Sequence, residues 1–333
     1  MTKKTNFFAA AIATIVAASG AQADVLRLTT AAPNGTPWVN HFETSAANLA
    51  EITGGEMTME VFPASQLGAE TDTIKQVARG RLDVGNFSVT AVASVVPEVG
   101  MLVSPFFWDS FEQADCALDN HLVDTFDSLF QERGLRLVQW QELGWQNVFT
   151  NEPISGPADM AGLKMRVGTS ANHDLYWRSV GVSGVPMAFS DIATNIQTGL
   201  VEGGELPTIS YVAGGVGEVS PHMTRTRHIY QPSVMLMSTR VWDAMSPEEQ
   251  AQFNEAMEPA DALRAAVRGG IDFFSAKHIE NGGTIAELSD EQRAEWAAYW
   301  TPENMQELID VTGGESQRVY DEVVAARDAC TAG

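Results

Sequence analysis

The chain has 333 residues, with 43 Asp plus Glu against 20 Lys plus Arg and a formal charge of -23. That acid excess excludes a nucleic-acid binder, which needs a cationic face to displace counterions from phosphate, and an anionic membrane surface would repel it. With 44% apolar residues, 8 Trp and 15 Phe it can bury a core, which excludes disorder, and its length fits about two globular domains.

Residues 1–23 read as an address. Lys3 and Lys4 precede an apolar stretch from Phe7 to Ala18, too short for a stable span, and Ala21 and Ala23 offer the small side chains of a peptidase site. We expect a Sec signal peptide cleaved after Ala23, against the alternative of an uncleaved anchor. The mature chain would start at Asp24 as a soluble periplasmic or secreted protein that is not membrane-embedded. From -23, the loss of Lys3 and Lys4 without any acid gives -25. No later apolar run reaches the roughly 18 residues of a spanning helix.

From Val25 onward, short β-like runs alternate with helical ones, the mark of an α/β architecture. Strands are expected at Val25–Thr30, Met57–Phe62 and Val84–Ser88, with helices at Trp38–Ile52 and Glu70–Arg79 between them. A long helix, Phe111–Arg133, leads to a strand at Leu135–Gln141 that resumes past a bend near Gly144 as Asn147–Thr150. After the punctuation Pro153–Pro157 come a helical turn to Leu163, a strand Lys164–Val167, helices Asn172–Val180 and Asp191–Thr198, and a strand Val234–Ser238. From Pro247 the chain reads as mainly helical, with breaks near Gly269-Gly270, Gly282-Gly283 and Gly313-Gly314. There is no internal repeat. The two cysteines, Cys116 and Cys330, are either a disulfide suited to an oxidising compartment or two separate buried thiols.

Catalytic patterns are missing. Gly181-Val182-Ser183-Gly184 fails the nucleophile-elbow spacing by one residue, no His-Glu-x-x-His occurs, and His222 and His228 alone make a poor metal site. The glycines at 214, 215 and 217 do not complete a dinucleotide fingerprint. We therefore expect no enzyme, no metal and no cofactor. Arg166 stands out inside Gly162-Leu163-Lys164-Met165-Arg166-Val167, a turn feeding a buried-looking strand. A guanidinium there would meet a carboxylate through two parallel N–H bonds, or it is an ordinary ion-pair partner of nearby acids.

Six strings in order carry a resemblance over roughly residues 25–328. They are Gln66-Leu67-Gly68-Ala69-Glu70, Arg79-Gly80-Arg81-Leu82-Asp83-Val84, Ser104-Pro105-Phe106-Phe107, the Arg166 string, Pro186-Met187-Ala188-Phe189-Ser190-Asp191, and Gln197 through Pro207. In these the chain resembles the solute-binding proteins of tripartite ATP-independent periplasmic (TRAP) transporters, of the dicarboxylate-binding type. The resemblance implies a two-lobed α/β fold with discontinuous lobes and a long helix touching both. It places lobe I at 24–146 and about 232–268, and lobe II at 147–231 and about 269–333 with the C-terminal helices. It further implies an ATP-free partner, the TRAP membrane permease, and a monomeric binding protein.

By the same resemblance Arg166 holds the ligand carboxylate, Phe189 packs on the solute, and Asn86 and Glu70 come from the first lobe. Two positions depart from the family pattern. Gln146 stands where many members carry a second Arg, and Leu206 replaces the Asn of a Glu-Asn-Pro motif, here Glu205-Leu206-Pro207. A buried dianion facing one Arg would be under-compensated, so the expected ligand has one carboxylate or sulfonate and an apolar remainder, with polyhydroxy sugar acids less suited to the Leu206 wall. Trp145, Phe107 and Trp38 are candidate aromatic contacts, and Glu70 or Glu205 would face the cation of a zwitterion. Rival readings are a sensor feeding a membrane receptor and a secreted lyase or hydrolase.

Overall fold

The computed structural model describes residues 24–331, so the expected signal peptide and its cleavage site lie outside the described residues. Nine strands make one mixed sheet: β1 (Asp24–Thr30), β2 (Met57–Phe62), β3 (Val84–Ser88), β4 (Leu135–Thr150), β5 (Lys164–Val167), β6 (Ser183–Pro186), β7 (Gly203–Pro207), β8 (His222–Ser238) and β9 (Thr284–Glu287). Their order is β2-β1-β3-β8-β4-β7-β5-β6, with β9 beside β8.

Two long antiparallel strands hold this sheet together. The first part of β4 pairs with the last part of β8, next to β3, whereas Gln146–Thr150 of β4 pairs with β7. One half of the sheet, β1 to β3, is thus attached near one end of the β4–β8 ladder, and the other half, β5 to β7, near the opposite end. Alternation gives each half an apolar layer on both faces. In the first half, Leu28, Val84, Met235 and Met237 meet Trp38 and Phe42 of the helix Pro37–Ile52, while Phe87, Val234 and Leu236 face Val99, Phe126 and Phe130. In the second half, Val148, Met165 and Val167 pack on Trp177 and Trp296, and Phe149 turns the other way, toward Ile192 and Tyr211.

The helix Ala260–Glu280 runs along both halves. Arg264 and Arg268 pair with Asp119, Asp115 and Glu142 on the first-half side. Farther along, Ser275 accepts from Arg225 of β8 at 2.6 Å and His278 packs on Tyr211. The expected break at Gly269-Gly270 does not occur. A Cβ on Gly270 would come within 3.3 Å of Ile209 Cδ1, so the glycine lets this helix approach its neighbour closely.

Other expectations are corrected. The long helix Phe111–Arg133 is two, Phe111–Asn120 and Val123–Gln131, because the chain turns at His121 and buries Leu122 in the core between them. The two expected pieces, Leu135–Gln141 and Asn147–Thr150, are one strand, β4, and the bend expected near Gly144 appears as register irregularities near Glu142/Gly144 and Gln146/Val148. Likewise β8 starts at His222 and not at Val234; its polar run Thr224, Thr226, His228 and Gln231 is buried and hydrogen-bonded, so it shows no apolar alternation. The C-terminal helices Pro302–Thr312 and Ser316–Ala329 insert Leu308, Val319 and Val323 into the core containing Val99 and Phe126. The helix Ser316–Ala329 packs on the first half, whereas Pro302–Thr312 also lies on the helix Ala171–Val180 of the second half, where Arg178 pairs with Glu307 at 2.6 Å; the expected division assigned both to lobe II.

Cys116 and Cys330 form a disulfide, with 5.9 Å between Cα atoms and a sequence separation of 214. It ties the end of the helix Ser316–Ala329 to the helix that carries Asp115 and Asp119. Closing so long a loop restricts the unfolded chain, so replacing both cysteines by serine is expected to lower unfolding free energy by about 2–5 kcal/mol. Chemical denaturation of the oxidised, reduced and double-serine proteins checks this, and coincident transitions would contradict the bridge.

Candidate functional site

Where the two sheet halves meet over the β4–β8 ladder there is a cavity. It offers about 80 Å³ to the centres of water-sized atoms; one water needs roughly 10–15 Å³ on this measure, so the space suits a small solute. The first half contributes Trp38, Ser65, Glu70, Asn86 and Thr90, the long strands Gln146 and Gln231, and the second half Arg166, Met187, Phe189, Leu206 and Ser210.

Sheet alternation aims Arg166. Met165 and Val167 point into the Trp177 core, so the residue between them projects from the opposite face, toward the cavity. Gly204 beside it leaves the room: a Cβ there would lie 3.1 Å from Arg166 Cβ. Arg166 is 6% exposed. Its Nε and Nη2 donate to the carbonyl of Met187 at 3.1 and 3.0 Å, and Nη1 donates to the carbonyl of Glu205 at 2.9 Å. Three of its five N–H groups are therefore held by backbone, which fixes the plane of the group. Among the described residues no carboxylate pairs with it. Burial pulls its pKa below the ordinary value, and Glu205 and Glu70 oppose that pull; a guanidinium starts so far above neutrality that it stays charged.

Across the cavity, Glu70 opens the helix Glu70–Ala78. Its carboxyl accepts from Ser88 N at 2.7 Å and Ser88 Oγ at 3.0 Å, and what exposure it has is to the cavity. Burial raises its pKa, outweighing the Ser88 hydrogen bonds and the attraction of Arg166. Asn86 donates to Gln141 Oε1 at 2.7 Å and accepts from Thr30 Oγ1 at 3.1 Å. Gln146 donates to Gln231 Oε1 at 3.2 Å, leaving its own Oε1 buried with no donor among the described residues.

The same alternation removes two expected contacts, and a third, Phe107, lies off the sheet. Leu206 faces the cavity, so Glu205 points through the sheet to the other face, where it accepts from Gly168 N, Trp177 Nε1 and His228 Nε2 at 2.9, 2.8 and 2.8 Å. Gln146 faces the cavity, so Trp145 turns away to pack on Phe111 and Tyr230. Phe107 is core, against Trp108 and Tyr320 with Arg327 stacked on its ring. Arg166, Phe189, Gln146, Asn86, Glu70, Leu206 and Trp38 all line the cavity, with Trp38 held by its Nε1 donating to the Glu142 carbonyl at 2.7 Å. Thr90, Gln231 and Ser210 escaped the sequence analysis. The signal for Gln231 was present in its polar setting before Pro232, but it was masked because that stretch does not read as a strand.

The sequence model described as bacterial extracellular solute-binding protein, family 7, matches residues 28–308. A solute-binding protein of Chromohalobacter salexigens is 29% identical over 275 residues, 81% of either chain. The 2,3-diketo-L-gulonate-binding periplasmic protein of Escherichia coli is 28% identical over 221 residues, 66% of this chain and 67% of that one. A solved TRAP periplasmic solute-binding protein of Roseobacter denitrificans, with bound β-D-glucuronate, aligns with a TM-score of 0.84 at 25% identity over 91% of this chain and 99% of that one.

The raised Glu70 carboxyl yields a stability prediction. A folded pKa above the unfolded one means that the native state holds the proton more tightly, so its contribution to stability falls as pH rises from the ordinary carboxylate value, about 4.3, through the raised one. The stability of Glu70→Gln relative to the unaltered protein should therefore improve across that window, as followed by ligand-free denaturation at pH 4, 5.5 and 7. A difference independent of pH would contradict the shift.

Proposed function

The chain belongs to the bacterial extracellular solute-binding proteins of family 7, and from that membership we propose that it captures a small hydroxy acid with one carboxylate and delivers it to a TRAP membrane permease. The observation that carries the ligand class is Arg166, buried, backbone-held and without a carboxylate partner. Leaving such a cation unpaired is costly, and a ligand carboxylate is the group that relieves the cost through the two remaining N–H donors.

The rest of the wall argues against a second negative charge. Glu70 would repel it when ionised, and Gln146 offers no cation. Glu70 and Gln146 Oε1 are instead acceptors that suit hydroxyl or N–H donors on the ligand. This favours hydroxyl-bearing acids more than the Leu206 wall had led us to expect, since Leu206 covers one side only. Glucuronate and 2,3-diketo-L-gulonate, named for the two relatives, each combine one carboxylate with hydroxyls.

Capture needs no chemistry, and the family's role is solute binding in transport. We assign lobe I to 24–146 and about 232–268, and lobe II to 147–231 with the chain that follows about 269, moving the helix Ser316–Ala329 to lobe I for the packing described above. Closure about the β4–β8 ladder would bring Glu70, Asn86 and Arg166 onto one solute, so that ligand favours the closed form. We place the mature protein in the periplasm, as a monomer.

The test is a thermal-shift comparison of D-glucuronate, D-galactonate and pantoate with succinate. A bound hydroxy acid at 100 times its Kd should raise Tm by about 4 °C, and succinate should do less at equal concentration. Arg166→Ala should weaken binding of the active acid at least about 30-fold, by calorimetry. Gln146→Arg should shift preference toward succinate. Unchanged affinity in Arg166→Ala contradicts the anchor, and a response to succinate alone contradicts the monoanion.

A further inference from the structure

Behind the cavity wall, the Glu205 carboxylate is fully buried and plays no direct part in capture. We propose that His173 is held as an imidazolium that neutralises Glu205, a positioning residue that leaves the guanidinium of Arg166 as the net charge offered to an anion.

The hydrogen bonds fix the proton count. Gln231 Nε2 donates to the carbonyl of Pro232 at 3.3 Å, and reversing that amide would set two oxygens against each other. So placed, Gln231 Oε1 accepts from Thr90 Oγ1 at 3.0 Å and from Gln146 at 3.2 Å. The single proton of Thr90 is thereby committed. At 3.1 Å from His173 Nε2, Thr90 Oγ1 can then only accept, so Nε2 carries a proton. The other ring nitrogen, Nδ1, is in close ion-pair contact with Glu205 Oε1, although not aligned as a hydrogen bond; a bare nitrogen there would set its lone pair against a carboxylate that already accepts from three other donors, so Nδ1 carries a proton. Two protonated nitrogens make a cation.

His228 is the contrast. Its Nε2 donates to Glu205 Oε2 at 2.8 Å, and its Nδ1 accepts from Thr226 Oγ1 at 2.7 Å, which makes the ring neutral. Burial pushes its pKa down, against Glu205, in keeping with that state. For Glu205, burial alone would raise the carboxyl, but His173 and His228 pull it well below the ordinary range.

The titratable groups around His173 are few: Glu205 from β7, His228 and beyond it Tyr176, and Arg166 from β5, while Thr90 is the uncharged contact from the first half. Were His173 neutral, Glu205 would act as the counter-ion of Arg166, and an incoming carboxylate would enter a site with no net positive charge. The consequence for capture rests on the reading of Arg166 as anchor; the protonation state does not.

Two measurements on the full mature protein test it without ligand. With ¹⁵N-histidine labelling, long-range proton–nitrogen correlation should show His173 with two protonated ring nitrogens at pH 7 and His228 with one. A bare nitrogen on His173 overturns the proposal. In a thermal cycle, His173→Gln should lower Tm by about 5–10 °C by stranding a buried carboxylate, and Glu205→Gln should strand the cation similarly. The double variant should recover most of either loss. Additive losses in the double variant also overturn the proposal, since they are what uncharged packing roles would give. Failure of these results with intact dependence of binding on Arg166 would discard the counter-ion and keep the anchor.

Discussion

A cation buried against backbone carbonyls, with no acid touching it, is an uncommon way to use an arginine, because desolvation costs several kcal/mol that carbonyl dipoles offset only in part. In this protein the arrangement is built by many residues. Met165 and Val167 commit the faces of β5, Gly204 clears the side, and the carbonyls of Met187 and Glu205 fix the plane of Arg166. The nearest strong acid of the second half is turned through the sheet and given other partners. On the proposed function, the charge that Arg166 meets arrives from solution, and selection against the wrong solute falls to Glu70 and Gln146 opposite.

Long-range electrostatics would argue against any anion-binding role, given the formal charge of -23. Screening at physiological salt weakens exposed charges beyond about 8 Å, whereas a buried guanidinium acts at contact distance in a less polarisable surrounding. In the proposed capture, local geometry therefore outweighs the overall field, and the field itself repels anionic membrane surfaces.

Most of the strands and helices whose pattern is amphipathic were legible in the sequence: β1 to β3, β5 and the helix Pro37–Ile52 fall within a residue of expectation. What escaped was built from interactions that leave no period. The buried polar run of β8 reads as a loop until its partners are known, and Gly269-Gly270 reads as a break until the neighbouring helix is placed against it. At the site, residue type and setting singled out Arg166 but left it between a ligand anchor and an ordinary ion-pair partner, and resemblance supplied the anchor role together with Phe189, Asn86 and Glu70. Trp145, Glu205 and Phe107 were misplaced for physical reasons. In a strand, adjacent residues face opposite ways, so Gln146 and Trp145, or Leu206 and Glu205, cannot both line one cavity. Pattern gives the pair; only the register of β4 and β7 in the folded sheet tells which member faces in.

The halves are joined by a ladder of two long strands and by the helix Ala260–Glu280, with the Cys116–Cys330 bridge stiffening the first half. Side chains from both halves meet at the cavity and also beside it, where Asn172 Nδ2 donates to the Val103 carbonyl at 2.7 Å and Phe106 packs on Tyr176; in the proposed account the solute adds its own contacts to both halves in the closed form. The most direct measurement of this account is mass spectrometry of the small molecule released by denaturing the protein purified from its own source. A molecule with a single acid group and one or more hydroxyls, lost from the Arg166→Ala protein, is the predicted result. A neutral molecule, or a dicarboxylate retained in the absence of Arg166, would contradict it.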